Sequence, residues 1–372
     1  MNFVIITHVK HIREDEHFFA YAPYVREMNI WFKYVDEVTI IAPLLNSKKS
    51  TIDSAYQHNN INFNRVPEVV FTSLSKFIKS VFKLPIIIYT IFKVCKKADH
   101  IHLRCPGNMG LLGCLVQVLF PKKVKTAKYA GNWDPKAKQP MSYRFQRWLL
   151  SSTFFTKNIT TLVYGNWPDQ TKNIKTFFTA SYTKQEIVTP KTRDYSETLK
   201  FVFVGSLVIG KRPLLAIKIV EALYKQGKKV HLDLYGDGIL NEELQDYVIT
   251  NKLEAIVNIL GNQQKEVVKE VLKETHFLIL PSKSEGWPKV IAEAMFFGAI
   301  PIATSVSCVP FMLDYGARGV LIEPNLELAV NTIKKQLQNL GNLKLMSEKA
   351  SSWSQTYTLD AFETEIVKLL KP

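Results

Sequence analysis

The sequence predicts an α/β protein built as two doubly wound, Rossmann-like halves. Three observations carry this. Over residues 200–322, short β-branched runs alternate with helical patterns, the signature of βαβ units and a parallel sheet covered on both faces. A noisier form of the same alternation fills residues 1–179. At 372 residues the chain is long for one domain and comfortable for two.

In the first half, strands are expected at 2–7, 37–43, 61–66, 100–105, 124–130, 160–164 and 175–179. Helical patterns lie around 18–35, 74–97, 110–120 and 142–155. The polar stretch Thr189-Pro-Lys-Thr-Arg-Asp-Tyr-Ser-Glu197 is the best linker. In the second half, strands at 200–205, 229–236, 256–261, 277–281, 300–304 and 319–322 alternate with helices around 213–226, 242–251, 264–274 and 285–297. The closing segment 359–370 is amphipathic. The expected domains are therefore 1–190, 191–352 and a C-terminal helical segment, 353–372. Two such halves imply a cleft between domains.

Charge is uneven. Residues 1–200 carry 29 basic and 14 acidic side chains, a net +15, whereas residues 201–372 carry 19 of each. Within 76–147 there are 15 basic residues against Asp99 and Asp134. A solvated lysine surface explains this, and so does attraction to an anionic partner: a membrane, a diphosphate-linked molecule or nucleic acid. No apolar run approaches the roughly 20 residues that span a bilayer. Met1-Asn-Phe-Val-Ile-Ile-Thr7 reads as a buried strand rather than a signal peptide. Cys95, Cys105, Cys114 and Cys308 have neither metal nor disulfide spacing, so free thiols in a reducing cytoplasm are expected.

The most informative stretch, 282–304, reads Ser-Lys-Ser-Glu-Gly-Trp-Pro-Lys-Val-Ile-Ala-Glu-Ala-Met-Phe-Phe-Gly-Ala-Ile-Pro-Ile-Ala-Thr. Glu285 sits in a polar turn after an apolar strand. Pro288 suits the first turn of a helix, and Glu293 lies within that helix. Ligands of open α/β sheets bind at such strand-to-helix turns, where helix N-termini favour phosphate. Gly205-Ser-Leu-Val-Ile-Gly-Lys211 is a second such turn, with glycines for close backbone approach and a lysine able to meet a diphosphate. Tyr235-Gly236-Asp237-Gly238 ends the next strand.

The run Glu285-Gly286-Trp287-Pro288-Lys289-Val290-Ile291-Ala292-Glu293, with Gly298 and Pro301, resembles the Glu-x7-Glu signature of retaining nucleotide-sugar glycosyltransferases of the GT-B fold. The pattern is most similar to glycosyltransferase family 4, including its bacterial surface-polysaccharide members. The resemblance covers roughly 200–330 and is weak over the first 190. It implies that Glu285 lies beside the donor sugar and that Glu293 binds the nucleotide ribose. Lys211 would neutralise the departing diphosphate. Ser206 stands where the family usually has arginine, and Arg212 is the natural compensation. Gly205, Gly236, Gly286, Trp287 and Pro288 complete the implied donor set, although Pro288 has no N–H to offer. A surface acid, a generic turn lysine or a Glu293–Lys289 pair would explain single members of the set equally well.

The first half has fewer signals. His8 ends the first strand, where the family often has a glycine-rich turn. The later family histidine is absent from Lys128-Tyr-Ala-Gly-Asn132-Trp-Asp134, so Asn132 and Asp134 are the candidates to face the sugar. A lone histidine is more often structural. No Asp-x-Asp, P-loop, metal-ligand spacing or complete Gly-x-Gly-x-x-Gly occurs. Chemistry free of metal and cofactor, on a UDP- or GDP-linked sugar, is expected. The function so implied is hexosyl transfer to a glycan, with a polyprenyl-diphosphate-linked acceptor, in cell-surface polysaccharide synthesis. The rivals are a nucleotide-sugar epimerase of the same fold and a non-enzymatic basic protein binding membrane or nucleic acid. Nucleic acid is disfavoured because it leaves the Glu285/Glu293 pair idle.

Within 71–97, Leu74, Phe77, Ile78, Val81, Phe82 and Leu84 alternate with Lys76, Lys79 and Lys83. This suits a peripheral helix at the inner face of the cytoplasmic membrane. A core helix with snorkelling lysines gives the same pattern. Pro85 is expected to kink or end the helix.

Overall fold

The structure, a computed structural model, describes residues 1–50, 52–69 and 74–371, without the side chains of 74–81. The side chains of Leu74, Lys76, Phe77, Ile78, Lys79 and Val81 therefore lie outside the described residues. The chain forms two compact units, Met1–Phe177 with Glu363–Pro372, and Phe178–Phe362. The stretch 189–197 is held to the second unit. The buried Arg193 guanidinium donates to the carbonyls of Thr275 at 2.6 Å and Phe297 at 2.7 Å.

The first unit contains β1 (Asn2–Ile6), β2 (His11–Glu14), β3 (His17–Tyr21), β4 (Glu37–Ala42), β5 (Leu44–Leu45), β6 (Asp53–Ala55), β7 (Ile61–Arg65), β8 (His100–Cys105), β9 (Val124–Tyr129), β10 (Ile159–Tyr164) and β11 (Ile174–Phe177). Seven of these form one sheet in the order β11-β10-β9-β8-β1-β4-β7. Every pairing in it is parallel. Its central strands are buried on both faces because helices cover both, although β8 and β9 carry buried polar and basic side chains. These helices are α1 (Ala22–Phe32), α2 (Leu74–Lys97), α3 (Asn108–Val116) and α4 (Met141–Ser151).

Two expectations are corrected here. The helical pattern of 18–35 begins as a strand, because Phe18 and Phe19 pair across a hairpin with Arg13 and Ile12. Helix α1 starts only at Ala22, with Pro23 in its first turn. That hairpin seeds a small four-stranded sheet, β5-β2-β3-β6. Pro85, expected to kink or end its helix, does not end it: it lies inside α2, which runs on to Lys97.

The second unit holds β12 (Leu199–Val204), β13 (Val230–Tyr235), β14 (Val257–Ile259), β15 (Phe277–Leu280), β16 (Ile300–Thr304) and β17 (Val320–Ile322). They form an all-parallel sheet in the order β14-β13-β12-β15-β16-β17. The order reverses direction between β12 and β15. That switch point is where open sheets of this kind place a ligand crevice. Its helices are α5 (Pro213–Lys225), α6 (Asn241–Thr250), α7 (Lys265–Glu274), α8 (Lys289–Phe296), α9 (Val309–Met312), α10 (Leu326–Leu337) and α11 (Leu340–Ser354). The last helix, α12 (Leu359–Leu370), ends in the first unit. There Glu363 accepts hydrogen bonds from Lys33 and Tyr34, and Glu365 pairs with Lys175 at 2.6 Å.

Candidate active site

Three loops meet at the carboxyl end of the second unit's sheet. The loop after β12 is zipped to the loop after β13: Gly205 N–H donates to the Tyr235 carbonyl at 2.9 Å, and Leu207 N–H to that of Asp237 at 3.0 Å. Gly236 is required by this closeness. Its φ is +136°, and a Cβ there would come within 2.0 Å of the Gly205 carbonyl oxygen. The loop after β12 also meets the loop after β15. Lys283 N–H donates to the Gly210 carbonyl at 2.8 Å, and Arg212 Nη1 to that of Pro281 at 3.4 Å.

The central contact is between Lys211 and Glu285, Nζ to Oε1 at 2.6 Å. Glu285 is nearly buried and Lys211 about one-third exposed, so the carboxylate is held from below while the ammonium keeps a solvent face. Arg212 is the N-cap of α5, just ahead of Pro213, and adopts the left-handed conformation, φ 51°. The structure thus brings Gly205, Lys211, Arg212, Gly236 and Glu285 together. Ser206, in the same loop, is exposed.

Gly286 offers its carbonyl to Cys308 Sγ at 2.9 Å and Ser307 Oγ at 3.4 Å, which ties the turn to the start of α9. The Trp287 ring is buried against Tyr357 and Trp353, at centroid distances of 5.7 and 6.1 Å. Its side chain therefore serves packing. Pro288 is the N-cap of α8 rather than a residue of its first turn, so the helix starts at Lys289. Glu293 is the fifth residue of α8, and its carboxylate accepts a hydrogen bond from the Ser181 hydroxyl. Nothing in the sequence marks Ser181. Its neighbour Tyr182 has a phenol pushed up by burial first and by the Glu293 charge second.

In the first unit, His8 follows β1. Its imidazole keeps solvent access yet is pushed below the ordinary histidine range, by desolvation first and by the Arg104 charge second. A Cβ on Gly107 would meet its Nδ1 at 2.8 Å, so that glycine leaves it room. Asn132 follows β9. Its Oδ1 accepts the Asp134 N–H at 2.8 Å, while Asp134 Oδ1 accepts that of Lys136 at 2.8 Å. Both side chains shape a turn. Close to these strand ends lies an ionic cluster that the sequence reading did not single out. Buried Glu27 pairs with Arg104 at 2.7 Å and Lys128 at 3.0 Å. The available signal was the density of basic and polar residues in two central strands, His-Ile-His-Leu-Arg-Cys and Val-Lys-Thr-Ala-Lys-Tyr.

A pocket of about 640 Å³ opens in the first unit, and its walls include Trp133, Arg144, Phe145, Trp148, Trp167 and Gln170. Gln170 Nε2 is buried without a hydrogen-bond partner. Among the described residues, no cluster of three or more His, Cys, Asp or Glu could hold a metal ion.

The family of group 1 glycosyl transferases matches residues 184–353, the segment that carries the Glu285 constellation. An uncharacterized glycosyltransferase of Methanocaldococcus jannaschii is 27% identical over 161 residues, 42% of this chain and 43% of that protein. The chain spans less than half the length of the first curated relatives it matches. Among solved structures, a lipopolysaccharide outer core galactosyltransferase, WaaB, superposes over 100% of this chain and 99% of its own, with TM-score 0.68 at 17% identity. Anabaena HepE in complex with UDP and glucose superposes over 100% and 99%, with TM-score 0.66 at 13% identity. These likenesses show the fold, which is GT-B.

Proposed function

We propose that this chain is a glycosyltransferase that moves a sugar from a nucleoside diphosphate to a glycan acceptor with retention of anomeric configuration. The observation that carries the reading is the Lys211–Glu285 pair at 2.6 Å, set among glycine-bearing loops at the sheet's switch point. A diphosphate binding there would draw Lys211 toward its oxygens, and Glu285 would be released toward the sugar. Glu293 and Ser181 would offer hydrogen bonds to ribose hydroxyls.

In the proposed reaction the bond from the anomeric carbon to the diphosphate oxygen breaks, and its electron pair leaves with the nucleoside diphosphate. The acceptor hydroxyl oxygen bonds to that carbon, and its proton passes to the leaving phosphate. Lys211, assisted by Arg212, would stabilise the departing charge in place of the arginine that Ser206 replaces. The matched solved structures include one holding UDP and glucose, which supports a UDP-linked donor.

The first unit is assigned the acceptor, with His8 and Asn132 as the side chains to meet sugar hydroxyls. The aromatic-walled pocket beside Trp133 suits the faces of sugar rings. By the resemblance to surface-polysaccharide enzymes, the acceptor would be a polyprenyl-diphosphate-linked glycan at an anionic membrane surface.

The test is a screen of UDP- and GDP-sugars against glycan acceptors, read by nucleoside diphosphate release and by NMR of the product anomer, with and without EDTA. The expected result is EDTA-insensitive transfer with retention. C2 epimerisation without transfer, or donors left intact with every acceptor, refutes the reading.

A further inference from the structure

Helix α2 is apolar on two opposite sides. Ile87, Ile91 and Cys95, spaced by four, are buried in the first unit's core. On the far side, Phe82 is 82% exposed, Ile86 62% and Tyr89 63%. An amphipathic helix at a protein surface turns a polar side outward, and one that is apolar all round is ordinarily covered. This outer side is not isolated. Phe92 meets Phe120 at 5.4 Å, just after the exposed Leu119. Gln117 Nε2 in the same turn donates to the Phe155 carbonyl at 3.5 Å. The exposed rings continue from there, with Phe154 on Phe155 at 5.1 Å and Phe155 on Trp148 of α4 at 5.8 Å. One apolar, aromatic face thus runs from α2 to α4, larger than the scattered hydrophobics of an ordinary surface.

The charge around this face is one-sided. Lys83, Lys93, Lys96, Lys97, Lys122 and Lys157 are exposed on the segments that form it. Between residues 74 and 168 the acids are Asp99 and Asp134 alone. Aromatic and aliphatic side chains interleaved with lysines match the boundary of an anionic bilayer, where rings sit at headgroup depth and ammonium groups meet lipid phosphates. No helix among the described residues is long and apolar enough to cross a membrane, so the match is to lying on the surface. We infer that the face formed by α2 from Phe82 onward, Leu119, Phe154–Phe155 and α4 docks the first unit onto an anionic lipid surface. Phe145 and Trp148 belong to both this face and the wall of the 640 Å³ pocket, which would place that pocket at the level of the headgroups. The inference gives a location to the membrane element of the function proposed above. It does not depend on the transfer chemistry, because vesicle binding and donor turnover are separate readouts.

The experiment is co-sedimentation of the full chain with phosphatidylcholine vesicles, with and without a third of phosphatidylglycerol, at low and high salt. Binding is expected only to the anionic vesicles and should weaken with salt. The combined variant Phe82→Ser/Tyr89→Ser/Phe154→Ser should lower the bound fraction at least about tenfold. Its substitutions are all exposed, so its melting temperature should stay unchanged. Leu328→Ser, also exposed but on α10, should bind as the parent does. No vesicle binding, equal binding to neutral vesicles, or undiminished binding of the triple variant overturns the proposal. So does a dimer by light scattering that the triple variant reduces to monomer, since the face would then join two copies.

Discussion

Glu285 and Lys211 hold each other at 2.6 Å, and under the proposed function the donor diphosphate would break or share that pair. The carboxylate is nearly buried and the ammonium partly exposed, so the pair opens to solvent on the lysine side. Glu285→Gln keeps the shape and removes the charge. It should preserve the fold and cut turnover at least about a hundredfold, the scale of a positioned catalytic group. Near-parental turnover in the folded variant takes Glu285 out of the mechanism. Lys211→Ala alone would leave that carboxylate without its cation, so affinity should be compared between Glu285→Gln and Glu285→Gln/Lys211→Ala. By calorimetry, adding the second substitution should weaken UDP or GDP binding by about 1.5–3 kcal/mol, the usual worth of a charge-assisted contact. Equal affinities would remove Lys211 from the diphosphate site.

At the scale of elements, the site depends on the loops after β12 and β13 touching backbone to backbone. Gly236→Ala tests this. The added methyl would clash with the Gly205 carbonyl, and φ +136° is outside what alanine adopts freely. The clash is with backbone, so relief requires the loops to separate. Destabilisation of about 1–3 kcal/mol by denaturant unfolding is expected, together with weaker nucleotide binding. Gly261→Ala is the comparison: its φ of +66° lies in the left-handed region, which alanine enters at a smaller cost, and nothing lies within 4 Å of the new Cβ. If both variants bind nucleotide alike, the close approach of the two loops does not shape the site.

At the scale of the whole molecule, buried histidines set a pH limit. His11 and His100 are both pushed down to about 4, each by burial first. His102 is driven well down by burial, with the His100 and Arg104 charges adding to it. Their unfolded values are near 6.5. Between those limits the unfolded chain binds protons that the folded chain refuses, so stability is full above about pH 6.5 and falls as pH drops toward 4. Carboxylates held low by partners, such as Glu186 and Glu365, lose their contribution in the same direction. The melting temperature should fall from pH 7 to pH 4.5. His100→Asn, which leaves a neutral polar group beside Thr126, should flatten part of that slope. A flat profile in the parent would show the buried rings to be protonated in the fold.

What the sequence determined by itself is the alternating architecture and one compact motif. Strand and helix periods are local properties, so the all-parallel sheet of the second unit was legible almost strand for strand, and so was the placing of Glu285 in a turn ahead of a helix. Long-range facts were not. Lys211 and Glu285 are 74 residues apart, and only the switch between β12 and β15 puts them 2.6 Å from each other. Ser181 reaches Glu293 across 112 residues. The hairpin at Phe18–Phe19 was hidden because its apolar pair fits a helical pattern too, and strand pairing across Asp15–Glu16 settles which one forms. Pro85 continued in its helix because packing by Ile87 and Ile91 outweighs a single proline's local cost. The outward apolar side of α2 likewise needed the fold. From sequence the segment suits a membrane-surface helix and a core helix alike, and only the position of the sheet beneath it shows which side of that helix is left facing out.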